Sequence, residues 1–222
     1  MSAGTASSLS HLERLLSEPD APVSVASQSE IPTVHLADSR VGLEFSEARS
    51  ATCAADIGSG AGLPGLPLAA SLPETEWVLI EATGKKCRFI ERAVSEMGLT
   101  NVQVEARRTE EFSSAPEGRE AFDLVTARAV GSLATTAELA SPLLRPGGHL
   151  LIWRGARDSE SERVFEGTAG ERLALDTVEV RSVSPYPGSR DRHIHLLRKN
   201  GPTPEGLPRR PGMASKRPLG IE

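Results

Sequence analysis

Residues 54–65, Ala-Ala-Asp-Ile-Gly-Ser-Gly-Ala-Gly-Leu-Pro-Gly, constrain this chain more than any other stretch. A short apolar run ends at Asp56 and Ile57, three alternating glycines follow, and an apolar helical pattern begins behind them. Glycine lacks a Cβ, so it takes positive φ readily and lets backbone N–H groups approach a bound molecule closely. A helix that starts just behind such a turn presents unpaired N–H donors and the positive end of its dipole. Strand, glycine turn and helix therefore describe a nucleotide-type site at the mouth of a parallel sheet. The competing reading is a tight turn with a purely structural role.

The rest of the sequence supplies that sheet. Strands are expected at Cys53–Ile57, 77–81, Val102–Glu105, 122–127 and 149–153, alternating with helices at 64–71, 85–97 and 133–144. Gly98 has the position of a helix-ending C′ glycine. Pro146-Gly147-Gly148 turns the chain into the fifth strand, and a weaker helical pattern covers 159–167. Two late strands, 178–183 and 193–197, are separated by Pro185, Pro187 and Gly188 with no helix between them. Repeated β-then-α units imply an α/β fold, a mostly parallel seven-stranded sheet with helices on both faces, and the final pairing implies a last strand that is antiparallel. Before this domain, Leu9, Leu12, Leu15 and Leu16 suggest a short amphipathic helix stopping near Pro19. Residues 21–30 read as loop and 31–45 as a helical cover. The expected organisation is an N-terminal cover over 1–50, partly flexible, a ligand-binding domain over 51–199 and a basic extended tail over 200–222.

Composition bounds the function classes. The 222 residues are 38% hydrophobic and 25% charged, ordinary for a soluble globular domain. No apolar run reaches the length of a membrane span, and the first ten residues lack the apolar core of a signal peptide. Cys53 and Cys87 match no metal spacing and read as free core thiols of a cytoplasmic protein. No metal is expected. The net charge is −5, yet six basic residues and one acid between Arg198 and Arg217 make that segment +5 and leave about −10 elsewhere. A basic end on an acidic body suits a polyanionic partner or serves as a solubilising tail.

Several side chains can carry chemistry. The G-x-G-x-G spacing departs from the G-x-G-x-x-G of dinucleotide binders and points towards S-adenosylmethionine (SAM), which has no pyrophosphate needing the helix end. Glu81, at the end of the second strand, is placed to accept hydrogen bonds from a ribose diol, or is a solvated strand-end acid. Asp56 is expected to brace the glycine turn by accepting backbone N–H bonds. Thr109 and Glu110 follow the third strand, beside the base of a nucleoside in this fold, although Glu110 also suits a helix N-terminus. Arg128 follows the fourth strand, where an arginine can fork onto a carboxylate or phosphate, or form a surface ion pair. Arg154 after the fifth strand has the same choice. His35 with Asp38 and Ser39 forms a histidine–aspartate pair that is as readily structural as catalytic, and without a nucleophile signature a hydrolase triad is rejected.

Taken together, these stretches resemble the RsmG (GidB) family of small-subunit ribosomal RNA guanine-N7 methyltransferases. The matching motifs are D-I-G-S-G-A-G-L-P-G (56–65), L-I-E-A-T-G-K-K-C-R-F-I (79–90), A-R-R-T-E-E-F (106–112), F-D-L-V-T-A-R-A-V (122–130), L-L-R-P-G-G (143–148) and R-R-P-G-M-A-S-K-R-P-L (209–219), with weaker agreement at V-H-L-A-D-S (34–39). Three features differ from the family pattern: a short N-terminal region, Arg154 where a lysine is usual, and Glu-Ala-Thr at the exit of the second strand. The resemblance implies a class I, Rossmann-like, SAM-dependent methyltransferase. Its cofactor positions fall on Gly58, Gly60, Leu63, Glu81, Thr109, Glu110 and Arg128, and transfer is expected to depend on Arg128. The implied partner is 16S rRNA or the small ribosomal subunit, acted on by a monomer, with Arg154, Arg209, Arg210, Lys216 and Arg217 on phosphate. The alternatives are a methyltransferase of another RNA or a small molecule, and a non-catalytic SAM- or RNA-binding relative.

Overall fold

The computed structural model describes residues 3–23, 30–157 and 159–219. The chain opens with α1 (Ala3–Leu16) and resumes in an irregular helical run, a π turn at Ile31–Ala37, α2 (Asp38–Arg40), a 3-10 turn at Val41–Glu44 and α3 (Ser46–Ser50). The sheet domain then alternates β1 (Cys53–Ile57), α4 (Gly65–Ser71), β2 (Glu76–Ile80), α5 (Gly84–Met97), β3 (Val102–Glu105), α6 (Thr109–Ser114) and β4 (Phe122–Arg128). It continues with α7 (Leu133–Ala140), β5 (Leu144–Arg154), α8 (Ser159–Val164), α9 (Gly170–Leu173), β6 (Leu175–Ser182), β7 (His193–Lys199) and a last turn of helix, α10 (Met213–Lys216). The loop expected over 21–30 lies mostly outside the described residues.

The seven strands lie in the order β3-β2-β1-β4-β5-β7-β6. The pairs β1–β2, β1–β4, β2–β3 and β4–β5 are parallel, whereas β7 runs antiparallel to both β5 and β6. The chain leaves β1 towards β2 and β3 on one side, and β4 starts on the other, so the order reverses between β1 and β4. Open α/β sheets bind ligands at that reversal, outside the carboxyl ends of the strands.

Each face of the sheet has its own core. One packs α1, α4 and α5 through Leu12, Leu15, Leu16, Leu66, Leu68 and Ile90. The other packs α6, α7 and α9 through Phe112, Phe122, Ala137, Leu143 and Leu173. Leu12, Leu15 and Leu16 of α1 are essentially solvent-free, which stabilises the fold by about 1.5–3 kcal/mol for each side chain. Gly98 closes α5 in the left-handed region (φ 66), as its sequence position predicts. The helix expected over 133–144 instead ends at Ala140 and tightens into a 3-10 turn at Ser141–Leu143, because Pro142 has no N–H to continue it. The cover expected over 31–45 is broken into π, α and 3-10 pieces rather than one helix. Gly42 within it packs so closely on the sheet that a Cβ would lie 2.9 Å from Cη2 of Trp153.

The expectation of an extended tail over 200–222 is corrected for residues 200–219. This segment is fastened across α6 and α7. Arg209 forms two hydrogen bonds of 2.6 Å to the Glu138 carboxylate, and the Gly212 N–H donates to Glu110 at 2.8 Å. Thr135 donates to the Ala214 carbonyl at 3.0 Å, and Leu207 and Ala214 are buried. Composition favoured an unstructured end because the segment has no helical or strand period, but a few point anchors hold it without one. Removing Arg209 leaves Glu138 buried with its guanidinium partner gone, which typically costs about 3–5 kcal/mol. Urea unfolding of Arg209→Ala is expected to show a loss of about 3 kcal/mol; a free tail would leave the midpoint unchanged.

Candidate active site

Strand register assembles the site. Ile57 of β1 lies opposite Ile80 of β2 and Ala127 of β4. The next residues along these strands, Gly58, Glu81 and Arg128, therefore form one row at the carboxyl edge. Arg128 is itself opposite Trp153 of β5.

Gly58, Gly60 and Gly62 all take positive φ, at 59°, 62° and 81°. The turn they make is tied to its neighbours on both sides. The Ser59 N–H donates to the Ile80 carbonyl at 3.2 Å, and the Gly60 N–H donates to Oε2 of Glu81 at 3.0 Å. Oε1 of Glu81 accepts the Thr83 N–H at 2.8 Å. Glu81 is 6% exposed, and each carboxylate oxygen keeps lone-pair capacity for a further donor. Behind the turn, Asp56 is fully buried. It accepts from Thr126 Oγ1 at 2.7 Å and from the Gly65 N–H, the first residue of α4, at 3.3 Å. Burial pushes its carboxyl up to about 6 against these hydrogen bonds. Asp56 thus braces the turn from behind and does not face the opening.

The turn borders an open cleft of ≈ 550 Å³ lined by Gly58, Ser59, Gly60, Leu63, His35, Pro22, Lys86 and Arg128, among others. An ideal Cβ on Gly60 would meet nothing nearer than the Gly58 carbonyl at 3.8 Å, so the space beside this amide is free. A second cleft of ≈ 600 Å³ adjoins it, lined by residues of β4, β5 and β7 and the segments beside them, including Val130, Ile152, Trp153, Arg154, Arg192 and Ile194. Arg128 and Ala129 belong to both. Ala129 is held at φ 58, a left-handed conformation costing a non-glycine residue about 1 kcal/mol or more and found preferentially where a site demands it.

Arg128 is fixed from the N-terminal cover. Its Nη1 donates to Oδ2 of Asp38 at 3.1 Å, to Ser39 Oγ at 3.4 Å and to the His35 carbonyl at 3.5 Å. Its Nε and Nη2 make no hydrogen bond to a described residue. Burial draws the guanidinium below its ordinary value, and Asp38 opposes that pull. The Asp38 carbonyl also accepts from the Trp153 indole at 2.8 Å, so one residue of the cover positions the shared wall from both strands. The histidine–aspartate pair considered for His35 does not form: Asp38 is given to Arg128. The His35 Nε2 instead has no hydrogen-bond partner among the described residues, and burial, then Arg128, lower its pKa, leaving a neutral ring.

Gly58, Gly60, Leu63, Glu81 and Arg128 are thus brought together. Thr109 and Glu110 are not in this group. They open α6 beyond β3, and the Glu110 carboxylate holds the C-terminal segment through Gly212. Arg154 lines the second cleft. Arg209 is engaged by Glu138 through Nε and Nη2, whereas Arg210, Lys216 and Arg217 are exposed. Sequence reasoning passed over Arg192 and Trp153. The antiparallel pairing of Arg154 with His193 brings Arg192 to this edge, and no local motif announces it. Among the described residues, no group of three or more His, Cys, Asp or Glu is placed to hold a metal, and no helix is long and apolar enough to cross a membrane.

The family model described as rRNA small subunit methyltransferase G matches residues 22–195. The chain belongs to this family. A ribosomal RNA small subunit methyltransferase G of Rubrobacter xylanophilus is 40% identical over 83% of the chain and 72% of its own length. Its counterpart in Roseiflexus castenholzii is 39% identical over 88% of the chain and 82% of its own length. Among solved structures, a SAM-dependent methyltransferase from Aquifex aeolicus superposes with a TM-score of 0.59 at 16% identity, covering 84% of this chain and 96% of that one. A predicted O-methyltransferase from Agrobacterium tumefaciens gives 0.59 at 22% identity, over 76% and 82%. At these identities the likenesses show a shared fold alone.

In this member of the methyltransferase G family the buried brace can be read directly. Asp56 titrates higher folded than its ordinary 3.8, so its contribution favours the fold fully below pH 3.8 and is lost as pH rises through about 6. Carboxyl NMR is expected to place its midpoint near 6. A midpoint below 4 would mean that its hydrogen bonds outweigh burial.

Proposed function

We propose that this chain transfers the methyl group of SAM to N7 of a guanine in small-subunit (16S) ribosomal RNA. The observation that carries the reading is the pair of clefts meeting at Arg128 and Ala129, one bordered by the glycine turn and the other by β4, β5 and β7. The residues present suit the cofactor. Free space lies beside the Gly60 amide, Glu81 has acceptor capacity left for a ribose diol, and Arg128 has an uncommitted edge for a carboxylate. Thr109 and Glu110, one strand further along the same edge, are proposed to meet the base.

Bound there, SAM supplies an electrophilic methyl on a sulfonium, which needs no activation by the protein. Guanine N7 already carries an in-plane lone pair and no proton, so no general base is required. This agrees with clefts in which burial and Arg128 lower the pKa of His35 and His193 is bonded to the Gly155 carbonyl. The work left to the chain is alignment: the glycine turn and Glu81 hold one partner, the second cleft holds the other, and their common wall sets the approach. Well-oriented placement alone can supply about 7–11 kcal/mol of a barrier. The exposed Arg210, Lys216 and Arg217 are available to phosphate beyond the clefts.

Small subunits from cells lacking the gene, incubated with this protein and methyl-labelled SAM, are the test. The expected result is close to one methyl per particle at a single guanine, with the strand scission by borohydride and aniline that marks N7 alkylation. Label on another atom or another molecule, or SAM bound with no transfer to RNA, would overturn the assignment.

A further inference from the structure

The second cleft has a feature that alignment alone does not call for. Most arginines of this chain with a partner have a carboxylate one: Arg14, Arg92, Arg107, Arg128, Arg145, Arg157, Arg181 and Arg209 each form an ion pair. Arg154 and Arg192, on the walls of this cleft, do not. Among the described residues, Arg154 donates to the Gly131 carbonyl, at 2.8 Å, and Arg192 to the Tyr186 hydroxyl, at 3.2 Å. Asp38 is the one acid among the residues lining the cleft, and it is committed to Arg128 at 3.1 Å. Neither guanidinium therefore forms an ion pair with a described residue, although the Asp38 charge also acts on Arg192.

Their placement follows from the sheet. β5 and β7 are antiparallel neighbours with Arg154 opposite His193, so Arg192, one residue before His193, enters from the neighbouring strand. His193 joins the ends of the two strands again through its Nδ1 and the Gly155 carbonyl, at 3.0 Å. Between the arginines and Arg128 the lining is mixed: Val130, Ile152 and Ile194 lie beside Trp153, and Asp38, Thr136 and His193 add polar groups. The indole cannot swing, because its N–H is held by the Asp38 carbonyl. A cleft that combines apolar side chains and a tryptophan with a few polar groups, flanked by two guanidiniums without an ion pair to a described residue, matches an unstacked nucleotide: the base among the side chains and backbone phosphates on the guanidiniums.

Resting on the methyl-transfer reading above, we infer that the second cleft takes the target nucleotide of an RNA strand swung out of its stack, with Arg154 and Arg192 clamping the phosphates that flank it. The clamp is built from the sheet edge and not from the C-terminal segment, whose Arg209 is tied to Glu138. It is a positioning device. It fixes where the base stands relative to the shared wall and touches no reacting atom.

Filter binding of transcribed small-subunit rRNA over a series of salt concentrations reads the clamp without turnover. Arg154→Ala and Arg192→Ala are each expected to weaken RNA binding about tenfold. Each should lower the slope of log affinity against log salt by about 0.7–0.9, the amount lost with one phosphate contact. Calorimetric affinity for SAM should stay within twofold. Arg192→Lys, which keeps the charge, should retain the slope and most of the affinity, separating phosphate contact from a folding defect. Wild-type affinity and slope in both alanine variants would overturn the clamp, and so would competition by guanosine monophosphate as strong as by RNA. If the clamp fails while wild-type protein still methylates N7, the functional reading survives. If binding depends on both arginines but no methyl is transferred, the clamp survives and that reading falls.

Discussion

The hydrogen bond from the Gly60 amide to the Glu81 carboxylate is the contact on which the rest of the site depends. A run of glycines in the left-handed region is a loose element by itself, since glycine has the most conformational freedom to lose on folding. Here it is pinned at three points: to β2 through Glu81 and the Ile80 carbonyl, and to α4 through the buried Asp56. The two carboxylates divide the task by environment. Asp56, sealed behind the turn and pushed up to about 6, is a brace. Glu81, at the edge, holds the turn in place and keeps lone pairs for something else.

A second constraint comes from outside the sheet. Arg128 ends β4, but its orientation is set by Asp38, Ser39 and the His35 carbonyl in the N-terminal cover. Asp38 simultaneously holds Trp153, and Gly42 lets the cover approach that indole. The cover is thus part of the wall between the clefts as well as a lid on the core. On the opposite face, the C-terminal segment performs a comparable service for α6 and α7. It grips the first turn of each, through Glu110 and Thr135, close to where both helices leave the carboxyl edge of the sheet.

Much of this was legible in the sequence because it is local. Apolar runs of five residues, a glycine turn and a C′ glycine each signal their structure within a window of a few positions, and repeated β-then-α units imply a mostly parallel sheet with right-handed crossovers. Glu81 and Arg128 could be placed as well, since a residue just past a parallel strand has one place to go. The pairings could not. Asp38 with Arg128, Arg209 with Glu138 and Glu110 with Gly212 join residues 90, 71 and 102 positions apart, and no periodicity encodes them. For that reason a segment rich in proline and glycine read as a free tail. Arg192 was passed over because it acquires meaning only through the antiparallel register of β5 and β7.

The central claim is that the amide face of the glycine turn is the place where SAM is held, and Gly60 offers the cleanest way to ask. A methyl group there meets no neighbour closer than 3.8 Å, so Gly60→Ala should fold with a loss of about 1 kcal/mol from its positive φ while projecting into the space beside the amide. Calorimetric titration with SAM should find wild-type protein binding one equivalent and the variant binding at least tenfold more weakly with its melting transition nearly intact. Equal affinity in the two proteins, or no uptake by the wild type at millimolar SAM, would contradict the account.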